Sequence, residues 1–279
     1  MKPVVLASMR AFFSLFFLLI VTCLYAQNGD FRLGARSAGI GGASTTITDG
    51  WSIFNNVGAM GTLDYSTGLL SYQNRYDVSA FQVVGGGYVH HTDLVNAGIS
   101  FFRFGDNLFN QQKMTLAVSN TFDMVSLGLG ASVVQYSIET LGNQQAIVLE
   151  FGGLAALTEQ LTLGAHAYNI TQARLSDEET LPTVLKAGLA YTPIDALLIS
   201  AEVQKDLDFD AIMKIGLEYE IIEKVWVRTG FSTEPFKSAF GAGWQWKAFQ
   251  IDYAFSDQTD LGAIHELSLT YLIKKLAGE

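Results

Sequence analysis

Met213-Lys-Ile-Gly-Leu-Glu-Tyr-Glu-Ile221 decides how this chain reads. Met213, Ile215, Leu217, Tyr219 and Ile221 alternate with Lys214, Gly216, Glu218 and Glu220. A strand sends successive side chains to opposite faces, so all the apolar groups share one face and the charges share the other. A helix would scatter the same charges around its circumference. Phe249-Gln-Ile-Asp-Tyr-Ala-Phe255 repeats the pattern, as do Leu185–Tyr191, Val225–Phe231 and Glu266–Tyr271.

Working outward, the chain from residue 62 to 273 reads as strands of about ten residues between short polar breaks. Strands are expected near 63–72, 78–90, 94–104, 112–122, 124–139, 144–157, 160–172 and 182–192. Six more fall near 196–205, 211–222, 224–233, 236–247, 248–256 and 264–273. The first half alternates less cleanly, because Gly85-Gly-Gly87 and Gly152-Gly153 interrupt it. The breaks include Gly105-Asp106-Asn107, Gly142-Asn143, Glu223-Lys224 and Glu234-Pro235.

Composition narrows what such strands can build. The 279 residues carry 17 Lys+Arg against 27 Asp+Glu, and charged residues are only 16%, below the usual quarter of a soluble domain. Mean hydropathy is nevertheless positive. The apolar content excludes a disordered chain, and the single Cys23 excludes a disulfide scaffold. A net charge of −10 argues against nucleic-acid binding. No apolar run after residue 26 is long enough for a membrane helix.

Lys2 and Arg10, an apolar core over 11–24 and Ala26 before polar Gln27 form a secretory signal peptide, expected at 1–26. Thr22-Cys23 is a poor lipoprotein signal. Cleavage after Ala26 removes Cys23 and leaves an acidic chain. The expected organisation is this signal, a Gly-rich segment over 27–62 that plugs or packs a lumen, a barrel over 63–273 and a tail over 274–279.

An exported chain that is too apolar for water points to an all-β, transmembrane antiparallel β-barrel of about 14 strands. Lipid satisfies no backbone hydrogen bond, so a spanning sheet must close on itself. A periplasmic β-sandwich also alternates, but its strands are usually shorter and its apolar face is covered by a second sheet. Aromatic residues near strand ends are expected on the lipid face at headgroup level: Tyr72, Tyr88, Tyr136, Tyr191, Tyr219, Trp226, Trp246 and Tyr271.

Alternation then aims Lys186, Glu202, Lys214, Glu218, Glu220, Arg228, Asp252 and Glu266 at the lumen. They form either a charged constriction that filters solutes or a salt-bridged interior. Gly34-Ala-Arg-Ser-Ala-Gly-Ile-Gly-Gly-Ala-Ser44 has the glycines of a phosphate loop but no Lys-Ser/Thr pair, so close backbone packing is the better reading. His90, His91, His166 and His265 sit on separate strands, His90 and His91 on opposite faces, and no G-x-S-x-G is present. The expectation is no enzyme, no cofactor and no bound metal, with an outer-membrane hydrolase as the unsupported alternative.

The stretch Gly34–Ser44, followed by Asp49 and Phe54-Asn-Asn-Val-Gly-Ala-Met60, resembles the opening of the PorV/PorQ family of outer-membrane barrels, related to FadL-type transporters. Leu181-Pro182, Gly216–Tyr219, Arg228-Thr-Gly230, Gly241-Ala-Gly243, Asp252-Tyr-Ala254 and His265–Leu269 extend the likeness over nearly the whole mature chain. Asn56 stands where that family usually has Pro. The resemblance implies the outer membrane of a Gram-negative bacterium, contact with its lipid, and an accessory or scaffold role in type IX-like protein export, with secretion-machinery or surface proteins as partners. The alternative it implies is a FadL-like channel for hydrophobic or small solutes.

Overall fold

The computed structural model describes residues 31–140, 142–176, 179–259 and 261–273. The signal expected at 1–26, residues 27–30 and the tail expected at 274–279 lie outside them. Fourteen antiparallel strands form a closed barrel. They are β1 (Ser66–Arg75), β2 (Gln82–His90), β3 (Asn96–Gly105), β4 (Phe109–Phe122), β5 (Val125–Ile138), β6 (Gly142–Ala156) and β7 (Leu161–Tyr168). β8 (Val184–Ile194), β9 (Leu197–Asp206), β10 (Ile212–Ile222), β11 (Val225–Ser232), β12 (Lys237–Trp246), β13 (Phe249–Gln258) and β14 (Gly262–Ile273) complete it. Each strand pairs with its neighbours in sequence, and β1 closes on β14 from Ser66↔Ile273 to Arg75↔Ile264. Closure leaves no sheet edge where the strands span lipid.

Period-two alternation appears directly in the burial of each strand. In β10, Met213, Ile215, Leu217 and Tyr219 are exposed on the outer face, whereas Lys214, Gly216 and Glu218 are buried inside. Met114, Leu116 and Val118 stand outside on β4, with Lys113, Thr115 and Ala117 inside. This outward apolar band makes the barrel a transmembrane one. Among the described residues no helix is long and apolar enough to cross a membrane. Tyr72, Tyr88, Tyr191, Tyr219, Trp246 and Tyr271 are exposed on the outer face as expected. Tyr136 is not: it points inward at 5% exposure, and half-buried Trp226 shares the inner face with Arg228. Strand alternation puts Tyr136 on the face of buried Ser132 and Val134, and Trp226 on that of Arg228, so both turn inward, where an aromatic residue can pack against the contents of the lumen.

One rim carries two-residue turns at 123–124, 195–196, 223–224 and 247–248. The other carries the longer connections, of which 169–183 is the longest. Short periplasmic turns and longer external loops are the usual asymmetry of such barrels, which orients the rims. β7 ends at Tyr168, short of its expected end, because Asn169 adopts φ 57° and turns the chain. Its Nδ2 donates to the Leu181 carbonyl (3.0 Å), and its Oδ1 accepts from Ala173 N–H (2.8 Å). β1 starts at Ser66, later than expected, because Ala59–Thr62 forms a 3-10 turn. Asn96 Nδ2 holds that turn through the Met60 (2.9 Å) and Leu63 (2.8 Å) carbonyls.

Residues 31–65 lie against the inner wall, with two short helices, α1 (Ala35–Gly39) and α2 (Ser52–Asn55). The interior they fill has two halves. Leu69, Val83, Phe102, Val134, Tyr136, Val148, Tyr168 and Val184, from β1 to β8, join Phe31, Leu33, Trp51, Ile53, Phe54, Val57, Met60 and Leu63 in one apolar cluster. The strands from β9 to β14 instead present Glu202, Lys214, Glu218, Arg228, Asp252 and Glu266, and here the Gly-rich part of the segment docks. At φ 68° and 81°, Gly41 and Gly42 need the left-handed freedom of glycine. A Cβ on wall residue Gly216 would sit 2.5 Å from the Ile40 carbonyl oxygen. Small residues on both surfaces let backbone meet backbone.

Candidate functional site

Carboxylates on the charged wall grip the internal segment largely by its backbone. Glu202 Oε2 accepts from Ser44 N–H (2.9 Å), Thr45 N–H (2.8 Å) and Thr45 Oγ1 (2.5 Å). Its Oε1 accepts from Lys214 Nζ (2.8 Å), which also donates to Gln204 Oε1 (2.7 Å). Glu266 Oε1 accepts from Gly34 N–H (2.6 Å), and its Oε2 from Gln73 Nε2 (2.7 Å). Arg32 lies 3.7 Å from the same carboxylate.

Glu218 is the hub. Arg36 reaches it as a fork, Nε to Oε2 at 2.9 Å and Nη2 to Oε1 at 2.7 Å, while Nη1 donates to Asp49 at 3.2 Å. Arg228 Nε donates to Glu218 from the wall, and its Nη1 donates to Asp252 at 2.7 Å. Planar guanidinium groups suit such paired recognition. On the docked segment, burial raises the Asp49 carboxyl above its usual range although Arg36 pulls it back. Burial would lower Arg36, but Glu218 and Asp49 outweigh it and hold the guanidinium raised. Trp51, two residues after Asp49, anchors the turn between the two halves: its N–H donates to Asp49 Oδ1 (2.9 Å) and its Nε1 to Thr270 Oγ1 (3.0 Å).

Six of the eight residues expected at the lumen therefore lie buried on the inner wall: Glu202, Lys214, Glu218, Arg228, Asp252 and Glu266. Lys186 is half-buried on β8, opposite His166 of β7. Glu220 stands apart near the end of β10, accepting from Lys224 N–H (2.7 Å) in the turn.

A second polar group escaped the sequence reading. Lys113 Nζ lies 3.0 Å from Glu150 Oε1, and His166 Nε2 lies 3.1 Å from Glu150 Oε2. Ser132 Oγ also donates to Glu150 (3.0 Å). The signal was present in β4, where Gln111, Lys113 and Thr115 alternate with Met114, Leu116 and Val118. Glycine interruptions on neighbouring strands obscured it. Arg36 and Asp49 were missed for another reason: a loop has no period to reveal its facing.

A membrane-spanning barrel occupied by its own N-terminal segment is the class that fold and site define. Solved structures of the same fold include the Pseudomonas putida toluene transporter TodX, at a TM-score of 0.63 and 13% identity over 89% of this chain and 100% of that one. The CymD monoaromatic hydrocarbon channel matches at 0.63 and 12%, over 90% of this chain and 99% of that one. A TodX variant described as a deltaS2S3 mutant matches at 0.64. No protein-family model matches the chain, and no curated protein sequence matches it significantly.

Proposed function

We propose that the chain is an outer-membrane channel for small hydrophobic solutes, closed at rest by residues 31–65 acting as a plug. The observation that carries this reading is the division of the interior. An apolar half runs beneath the long 169–183 connection, while the charged half clamps the plug. A transporter of polar solutes would need its charges facing water, whereas these are spent on Gly34, Arg36, Ser44 and Thr45. TodX and CymD, named as hydrocarbon transporters, share the fold and add support. The reading includes the cleaved signal at 1–26, contact with outer-membrane lipid and no catalytic role.

The export-accessory role rests on sequence resemblance alone, and no geometric feature of the interior favours it. Deleting the gene is expected to leave secretion of surface proteins unchanged and to slow toluene entry into cells. The decisive measurement is toluene uptake by intact cells with and without the gene, because a plain phospholipid bilayer does not hold back toluene. A rate no higher than that of the deletion strain, in both wild type and a plug-loosened variant, would sink the channel reading.

A further inference from the structure

Three polar atoms in the apolar half of the barrel have no hydrogen-bond partner among the described residues: Tyr136 Oη, Tyr168 Oη and His166 Nδ1. Their residues are 5%, 4% and 5% exposed. Leaving a buried polar group unpaired is costly, and His166 and Tyr168 lie two residues apart on the inner face of β7, so these atoms call for something to bind them. They belong to adjoining strands. Tyr168 stands opposite Glu150 in the β6–β7 register and His166 bonds Glu150, while Tyr136 lies on β5 opposite Gln144, six residues along β6 from Glu150. Tyr168 also packs against Phe31 at a centroid distance of 5.7 Å, and Phe31 meets Phe102 edge-on at 5.2 Å.

We propose that these polar atoms bind the hydroxyl end of a small uncharged solute, a phenol or alcohol whose body packs against Phe31, Phe102 and Tyr168 once the Phe31 contacts open. The donors and acceptors fit that class. With Nε2–H given to Glu150, neutral His166 keeps Nδ1 as an acceptor. Each tyrosine offers an O–H donor. A solute hydroxyl can donate to the imidazole and accept from a phenol, using both of its capabilities. Charge argues against an anion. The Lys113 ammonium is held by Glu150 at 3.0 Å and lies over the rings of Phe31 and Tyr168, at 5.3 and 4.7 Å from their centroids. Lys186, opposite His166, has interactions of its own. A carboxylate entering here would meet Glu150.

The inference deepens the channel reading and rests on it. The test is calorimetric titration of the purified full-length protein with p-cresol and with toluene, which differ by one hydroxyl. Wild type is expected to bind p-cresol about tenfold more tightly, the worth of one or two net hydrogen bonds. Tyr168→Phe and Tyr136→Phe keep the ring packing, so they should narrow that preference and leave toluene binding unchanged. Equal affinity for the two probes in wild type overturns the inference and leaves the channel reading standing. So does a preference that survives both substitutions, since water would then be satisfying the tyrosines. Absence of binding by either probe, with toluene uptake by cells no faster than in the deletion strain, overturns the channel reading itself.

Discussion

Replacing Glu218 with Gln tests whether charge holds the plug. Glu218 receives the Arg36 fork and Arg228 Nε, so the substitution removes the anion shared by two guanidinium groups. Breaking a buried ion pair by removing one partner costs about 3–5 kcal/mol. Two features reduce that figure. Gln keeps one carbonyl acceptor, and each arginine keeps a second carboxylate: Asp49 for Arg36 at 3.2 Å, Asp252 for Arg228 at 2.7 Å. The Arg36 side chain is also 22% exposed, so water screens what remains. About 2 kcal/mol of docking free energy is left, roughly thirtyfold in the fraction of undocked plug. The assay is arabinose leak in proteoliposomes, expected to rise by that factor. Tryptic cleavage after Arg36 in the folded barrel should accelerate in parallel. Glu223→Gln, in the exposed turn pair with Lys224, should change neither. An unaltered leak together with unaltered trypsin resistance would refute the charge-lock argument. Loss of the gel shift of the unboiled barrel would show that Glu218 supports the wall instead.

Gly230→Val should loosen the plug without a change of charge, because even a Cβ there would meet the Gly41 nitrogen at 2.5 Å. Overpacking of this kind costs about 1–3 kcal/mol, read as the same increase in leak with the barrel still heat-modifiable. Leu116→Arg, at an outward position 64% exposed to lipid in the middle of β4, should destabilise the barrel by about 2–4 kcal/mol in urea titrations from liposomes. Plug docking should also respond to pH through Asp49. Its carboxyl is raised by burial, so docking favours the protonated form. This contribution is full below the free value of 3.8 and declines as pH rises through the raised value. Asp49→Asn should flatten the corresponding part of the leak-versus-pH curve.

Strand number was legible because a wall with lipid outside has no freedom in its outer face. Met213, Ile215 and Leu217 must be apolar wherever the lumen lies, so their spacing announces the strand before anything is known of the fold. The inner face is under no such rule. Tyr136 was assigned to lipid because an aromatic near a strand end usually belongs there, but its register neighbours Gln111 and Gln144 do not settle which side is wet. The partners of the inner charges were illegible for a related reason. Glu202 bonds Ser44 and Thr45 from 157 or more positions away, and nothing in a two-residue period encodes contact with a loop.

The pairing of those charges decides where a solute can pass. Five acidic side chains were expected on the inner wall, and a filter would hold them toward water. Glu266 and Asp252 are each 1% exposed, and Glu266 accepts a backbone N–H of the plug. Opening the charged half would strip these acceptors of their donors and part Arg36 from Glu218, which stays on the wall with Arg228. Opening the apolar half beside Phe31 breaks dispersion contacts among Phe31, Leu33, Phe102 and Val148 and the Lys113 contact with the Phe31 ring. The Asn96, Ser119 and Ser126 bonds to residues 58–63 stay in place, and an apolar solute replaces the dispersion contacts with its own. The exchange is less opposed on the apolar side than at the ion-pair network. On the proposed channel reading, an apolar solute can therefore pass the plug with the ion-pair network intact, at a lower cost than a hydrated ion would meet. This asymmetry in cost favours hydrophobic cargo, and it follows from the two halves of the wall without reference to any relative.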